Sequence, residues 1–221
     1  MSWLAMALAL LGPGVIAVGW KRRTRNQNSL AISAPWLGAF ALLLLAVVTL
    51  AVKGNGWSAA ALGLEGVSWL TIPFALVLTA FFVYVFGPLA YAFLSKTGLG
   101  SFDDGQRLLA TLPTWYLALT IVVVAGGEEW LYRGYAIEAL EAATGSLWLA
   151  SLISLLAFAI VHLPLWGKGV ALTTIVSGGI LTLLYAWRRD VALLALAHAL
   201  TDLYGLLIVP RLQARPARRI R

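Results

Sequence analysis

The chain has 221 residues, 61% of them hydrophobic and only 11% charged, with a net charge of +7 at neutral pH. A soluble domain carries about 25% charged residues, so with a mean hydropathy of +0.88 a water-solvated globule is excluded and lipid is the solvent that fits. No cysteine is present, which excludes disulfides, thiol catalysis and Cys-ligated metals.

Apolar stretches follow one another near 3–20, 36–53, 70–95, 112–140, 146–166, 169–187 and 191–209. Each is long enough for a helix to cross a hydrocarbon core about 30 Å thick at about 1.5 Å per residue. None shows the alternating segments of about ten residues that a closed barrel needs. The first run, Trp3 to Trp20, has no positive charge before it. It meets Lys21 where a small-residue cleavage site would be expected, so it reads as a retained span and not a signal peptide. The basic, polar stretch Lys21–Asn28 follows, and Gly54-Asn55-Gly56 closes the second run. A Gly-rich segment from Thr97 to Gly105 holds Asp103 and Asp104. The fourth run predicts one helix through residues 115–138, with Glu138 and Glu141 marking its end. Thr144-Gly145-Ser146 and Gly167-Lys168-Gly169 are short turns. The expectation is an all-α polytopic membrane helix bundle of about seven transmembrane helices, a single integral membrane domain over residues 1–221.

The basic residues favour lipid over nucleic acid as partner. Lys21, Arg22, Arg23 and Arg25, then Arg188 and Arg189, then Arg211, Arg215, Arg218, Arg219 and Arg221 sit beside apolar runs. That is the pattern of anchors facing anionic headgroups. Placing Lys21–Arg25 in the cytoplasm puts the N-terminus outside, and an odd number of crossings brings the C-terminal cluster to the cytoplasm too. Arg188 and Arg189 then fall outside, against the rule. A prokaryotic plasma membrane is the expected home of so compact a chain without an added targeting domain.

Among the nine acids, Glu128, Glu129 and Asp202 fall inside apolar runs, as do both histidines, His162 and His198. A charge at mid-membrane costs about 2.5–3.5 kcal/mol even on the mild insertion scale. These groups must therefore face one another or a wet cavity. Glu129 and Arg133 are four apart on one helix face and can pair, while Glu128 is turned about 100° away. His198 and Asp202 are also four apart, so the carboxylate can orient the imidazole or share a metal with it. Gly126-Gly127 lets a backbone or a substrate come close.

Three motifs stand in order: Glu128-Glu129-x-x-x-Arg133, Phe158-x-x-x-His162 and His198-x-x-x-Asp202. Together with Gly134 and the stretch Ser177-Gly178-Gly179-Ile180-Leu181 they resemble the CPBP family. Its members are the type II CAAX prenyl endopeptidases and their bacterial relatives, the bacteriocin-processing and immunity-like proteins. The resemblance covers residues 112–205, the expected catalytic core. It implies an intramembrane endopeptidase that hydrolyses a peptide bond near the membrane. Glu128 would activate water, and His162 and His198 would hold that water or stabilise the tetrahedral intermediate. Glu129 and Arg133, with Phe158, would order the site. The last motif position is commonly Asn in the prenyl endopeptidases and is Asp202 here. An ionised Asp cannot donate a hydrogen bond to an oxyanion, so Asp202 would be protonated or would orient His198.

Glu128, His162 and His198 match a catalytic zinc set with an open position. The Glu-x-x-x-Arg helix is not the His-Glu-x-x-His zincin pattern, however, and the balance tips towards no tightly bound metal. The expected partners are the bilayer and a peptide or protein substrate, lipid-modified or not. Two other functions use the same residues. One is a non-proteolytic membrane scaffold, immunity or escort protein on this fold. The other is a proton-coupled transporter, since buried Glu, His and Asp also make relays, although no inverted repeat is visible.

Overall fold

The structure, a computed structural model, describes residues 2–24, 29–54, 56–58 and 60–214. Arg25, Asn55, Arg215, Arg218, Arg219 and Arg221 lie outside the described residues, as does the side chain of Asp104. Among the described residues there is no strand. Among the same residues six helices are long and apolar enough to cross a membrane: α1 (Trp3–Thr24), α2 (Leu30–Gly54), α3 (Thr71–Thr97), α6 (Leu147–Trp166), α7 (Lys168–Arg188) and α8 (Val191–Leu212). The short helix α4 (Asp103–Ala110) follows α3. The run predicted at 112–140 forms the seventh long helix, α5, over 114–144. It passes through Gly126-Gly127 without a break and widens into a π-helical stretch at Trp130–Ile137. Its lower hydropathy comes from the Glu and Arg residues in its middle. It tolerates them because it is enclosed: Leu131, Tyr132, Arg133, Tyr135, Ala136 and Ile137 are all fully buried. The outer helices do the opposite and expose Leu11, Val15, Leu42, Val77 and Leu183, which only a lipid solvent tolerates over such an area.

Local chemistry sets the helix ends. Ser146 caps α6 by accepting the Leu149 N–H, and Asp190 caps α8 by accepting that of Leu193. Gly145 ends α5 with φ of 68°, a left-handed conformation in which a side chain is strained. The chain reverses at every turn, so the ends sort to two faces. On one face Gly169 N–H donates to Leu99 O, Lys21 Nζ to Leu165 O and Arg211 Nη2 to Thr114 Oγ1. This face holds Lys21, Arg22, Arg23, Lys96, Arg107, Lys168 and Arg211, and is called the basic face below. On the opposite face the segment between α2 and α3, which includes the turn Ala60–Leu62, folds down onto α5. Gly63 O accepts from Val191 N–H, and Trp57 packs on Tyr135 with ring centroids 5.3 Å apart. Exposed Trp3, Trp69, Trp148 and Trp187 ring this face, as interfacial tryptophans do.

Arg188 and Arg189, whose position suggests lipid anchors, also have partners within the protein. Arg189 pairs with Glu138 and, at 2.7 Å, with Glu141. Arg188 donates to Ser68 Oγ and Gly66 O. Asp190 is fully buried and accepts from Thr71 Oγ1 at 2.6 Å. All of these partners are distant in sequence, so the pattern of adjacent charges says nothing of them. The three residues knit the α7–α8 turn to the end of α5 and to the segment before α3.

Candidate active site

α5 supplies the centre. Glu129 is fully buried, and its Oε1 accepts from Arg133 Nη1 at 3.0 Å and faces His198 Nδ1 of α8 at 2.8 Å. Arg133 is equally buried and spends its remaining donors on α7. Nη2 reaches Gly178 O at 3.1 Å, and Nε reaches Thr182 Oγ1 at 3.4 Å. Its guanidinium lies over the Phe158 ring at 4.2 Å, adding a cation–π contact. Helical spacing puts Glu129 and Arg133 on one face and Gly178 and Thr182 on another. The result is a latch joining α5, α6, α7 and α8 through one guanidinium and one carboxylate.

The histidines hang from this latch. His198 carries Glu129 on Nδ1, and Asp202 Oδ2 lies 3.6 Å from Nε2. His162 Nδ1 donates to the Phe158 carbonyl at 2.8 Å, which leaves Nε2 as the free ring nitrogen. Phe158 lies between the two rings, 4.8 Å from His162 and 6.3 Å from His198, centroid to centroid. Both histidines and Asp202 line a cavity of about 490 Å³. Its walls are α3 from Phe82 to Tyr91, α7 from Val170 to Leu181, and α8 from His198 to Val209. Its mouth lies towards the basic face. There Phe102 packs against Trp166 and Tyr91, and Gln106 Nε2 donates to Tyr91 Oη and Gly205 O. Two π-helical stretches, Phe82–Phe86 and Leu203–Ile208, contribute to this wall, and the third beside the site carries Arg133. Such wide turns recur at functional sites.

Six of the seven residues picked from the sequence thus come together, in the latch or on the cavity floor above it. Glu128 stands slightly apart. It is half-buried, within electrostatic reach of His198, Asp202, Glu129 and Arg133, and has no hydrogen-bond partner among the described residues. It is not part of the cavity wall. Thr182 and the mouth residues Tyr91, Phe102, Gln106 and Trp166 escaped sequence reasoning. Thr182 had one usable signal, its four-residue spacing from Gly178. The mouth residues come from separate helices and had none. Among the described residues no three His, Asp or Glu side chains are grouped to hold a metal ion. Glu128, His162 and His198, the residues that a divalent metal would use if one is bound, do not form such a group.

Residues 110–204 match the family described as Rce1-like, the type II CAAX prenyl endopeptidases. No curated protein and no solved structure matches the chain. The matched segment contains every residue of the latch, both histidines and Asp202, so the part of the chain that holds the site is similar to the Rce1-like type II CAAX prenyl endopeptidases, the resemblance that the three motifs carry.

Proposed function

We propose that this chain is an intramembrane endopeptidase, CAAX-protease-like, that hydrolyses a peptide bond using a Glu-activated water and two histidines. The observation that carries the reading is the convergence of His162, His198 and Asp202 on one cavity, held by the Glu129–Arg133 latch inside an Rce1-like domain. In this reading Glu128 takes a proton from water as the oxygen attacks the carbonyl carbon. The neutral imidazoles of His162 and His198 turn Nε2 lone pairs to the cavity and hold that water by accepting from it, and the proton that Glu128 takes passes to the leaving amine as the C–N bond breaks. Residues 112–205 are the catalytic core, within a single membrane domain.

A second reading of the base rests on the Glu129–His198 contact. A carboxylate on Nδ1 fixes the imidazole so that Nε2 faces the cavity and can accept the proton of water itself. Glu128 then shapes the field around it. Cleavage of prenylated and unprenylated peptides by purified wild type, Glu128→Gln and His198→Gln separates the two. A loss of about 10²-fold or more is expected for the true base. Wild type that cleaves neither peptide would favour a scaffold or escort role, and proton-coupled uptake in liposomes a transporter.

The site needs no resident metal in this reading. Stoichiometric zinc in active protein, lost with activity on chelation, would overturn that. The charge distribution supports one orientation, because basic residues gather on the cytoplasmic side. The basic face is then cytoplasmic, the N-terminus outside and the C-terminus inside, in a prokaryotic plasma membrane. Arg189 on the outer face is matched by Glu138 and Glu141, so the conflict it poses in the sequence is reduced.

A further inference from the structure

The cavity is poor in hydrogen-bond donors, and the only basic side chains among its lining residues are the two histidines. None of its lining residues is Lys or Arg. Arg133, beneath the floor, has its Nε, Nη1 and Nη2 nitrogens all bonded within the latch. His162 uses its Nδ1–H on Phe158 O, so in the neutral ring Nε2 is a lone pair. His198 has Glu129 on one nitrogen and Asp202 beside the other. Neutral, it offers a lone pair; protonated, its charge already meets two carboxylates.

The hydroxyls follow the same rule. Thr173 donates to Val170 O, Ser177 to Thr174 O and Thr201 to Ala197 O, so each turns spare lone pairs outward. The Thr174 hydroxyl, the phenols of Tyr91 and Tyr204 and the Trp166 indole are the other side-chain groups with a proton to give, and the Gln106 amide spends its donors on Tyr91 Oη and Gly205 O. Against this background Asp202 presents a carboxylate whose side chain is 37% exposed. A ligand carboxylate placed here would meet like charge and acceptors, and a cation would meet a counter-charge.

We propose that Asp202 is a specificity-determining residue, selecting peptides that place a Lys or Arg side chain beside it and rejecting peptides whose free C-terminal carboxylate would lie there. This rests on the reading that the cavity receives the substrate peptide.

The test uses the full chain in phosphatidylcholine nanodiscs and labelled apolar peptides with blocked ends. A single Lys, Gln or Glu is moved along the peptide, and one version ends in a free carboxylate. Binding and cleavage are both measured, for wild type, Asp202→Asn and Asp202→Glu. At the best position wild type should bind the Lys peptide about tenfold tighter than the Gln peptide. The Glu and free-acid peptides should bind more weakly than Gln. Asp202→Asn should bring Lys and Gln within about twofold, whereas Asp202→Glu should keep the preference, which separates charge from folding defects. No Lys preference at any position, a preference that survives Asp202→Asn, or no binding of any peptide would overturn the proposal. Lys-selective binding without cleavage would sink the peptidase reading and leave this one standing. Cleavage without Lys selectivity would do the reverse.

Discussion

Replacing Arg133 by Met removes the centre of the latch while nearly keeping its volume. Four interactions disappear at once: the ion pair to Glu129 at 3.0 Å, the bond to Gly178 O at 3.1 Å, the weaker one to Thr182 at 3.4 Å and the cation–π contact on Phe158 at 4.2 Å. The stem still fills its space, so little cavity is created. The dominant loss is electrostatic, because Glu129 is fully buried and its Oε2 already lacks a partner. Breaking a buried pair by deleting one member costs about 3–5 kcal/mol, since the other charge stays behind uncompensated. For a chain of this size about 2–4 °C of melting temperature accompanies each kcal/mol, so Arg133→Met should melt roughly 6–20 °C lower. The ten tryptophans allow thermal unfolding to be followed by intrinsic fluorescence in detergent or nanodiscs. Glu129→Gln combined with Arg133→Met removes the orphaned charge and should recover at least half of the loss. A double variant no more stable than Arg133→Met alone would refute the electrostatic account and leave lost packing as the cause. A wild-type melting temperature for the single variant would refute the latch.

Gly134 faces the 60–63 turn so closely that an added Cβ would lie 2.6 Å from Leu62 O, whereas Gly126 has open space. Gly134→Ala should therefore destabilise by about 1–3 kcal/mol, and Gly126→Ala should be neutral or gain up to about 1 kcal/mol in helix propensity; paired melting curves check both. Asp190→Ala removes the α8 cap and the acceptor of Thr71 and should cost about 1–3 kcal/mol, with Asp190→Asn retaining part of it. Because the chain has no cysteine, single cysteines at Lys168 and Lys53 report topology directly. In intact cells a membrane-impermeant maleimide should label the second and spare the first, and the opposite pattern would invert the proposed orientation.

Much was legible because the bilayer imposes a simple rule. Backbone groups in lipid must be satisfied within each segment, so long apolar runs determine an all-α bundle, and the seven runs recur as the seven long helices. The same rule made Glu128, Glu129, His162, His198 and Asp202 stand out, since lipid penalises charge wherever it is unpaired. Helical spacing was enough to put Glu129 beside Arg133 and His198 near Asp202. Only the tertiary structure decided which groups meet across helices. It set Glu129 against His198, spent Arg133 on Gly178 and Thr182, and left Glu128 outside the cavity wall. It also gave Arg189, an expected lipid anchor, the partners Glu138 and Glu141. The physical reason is one of range. Insertion cost and helical register act within a segment and can be read along the chain, whereas a hydrogen bond between helices depends on their packing, rotation and depth, which residues remote in sequence decide together.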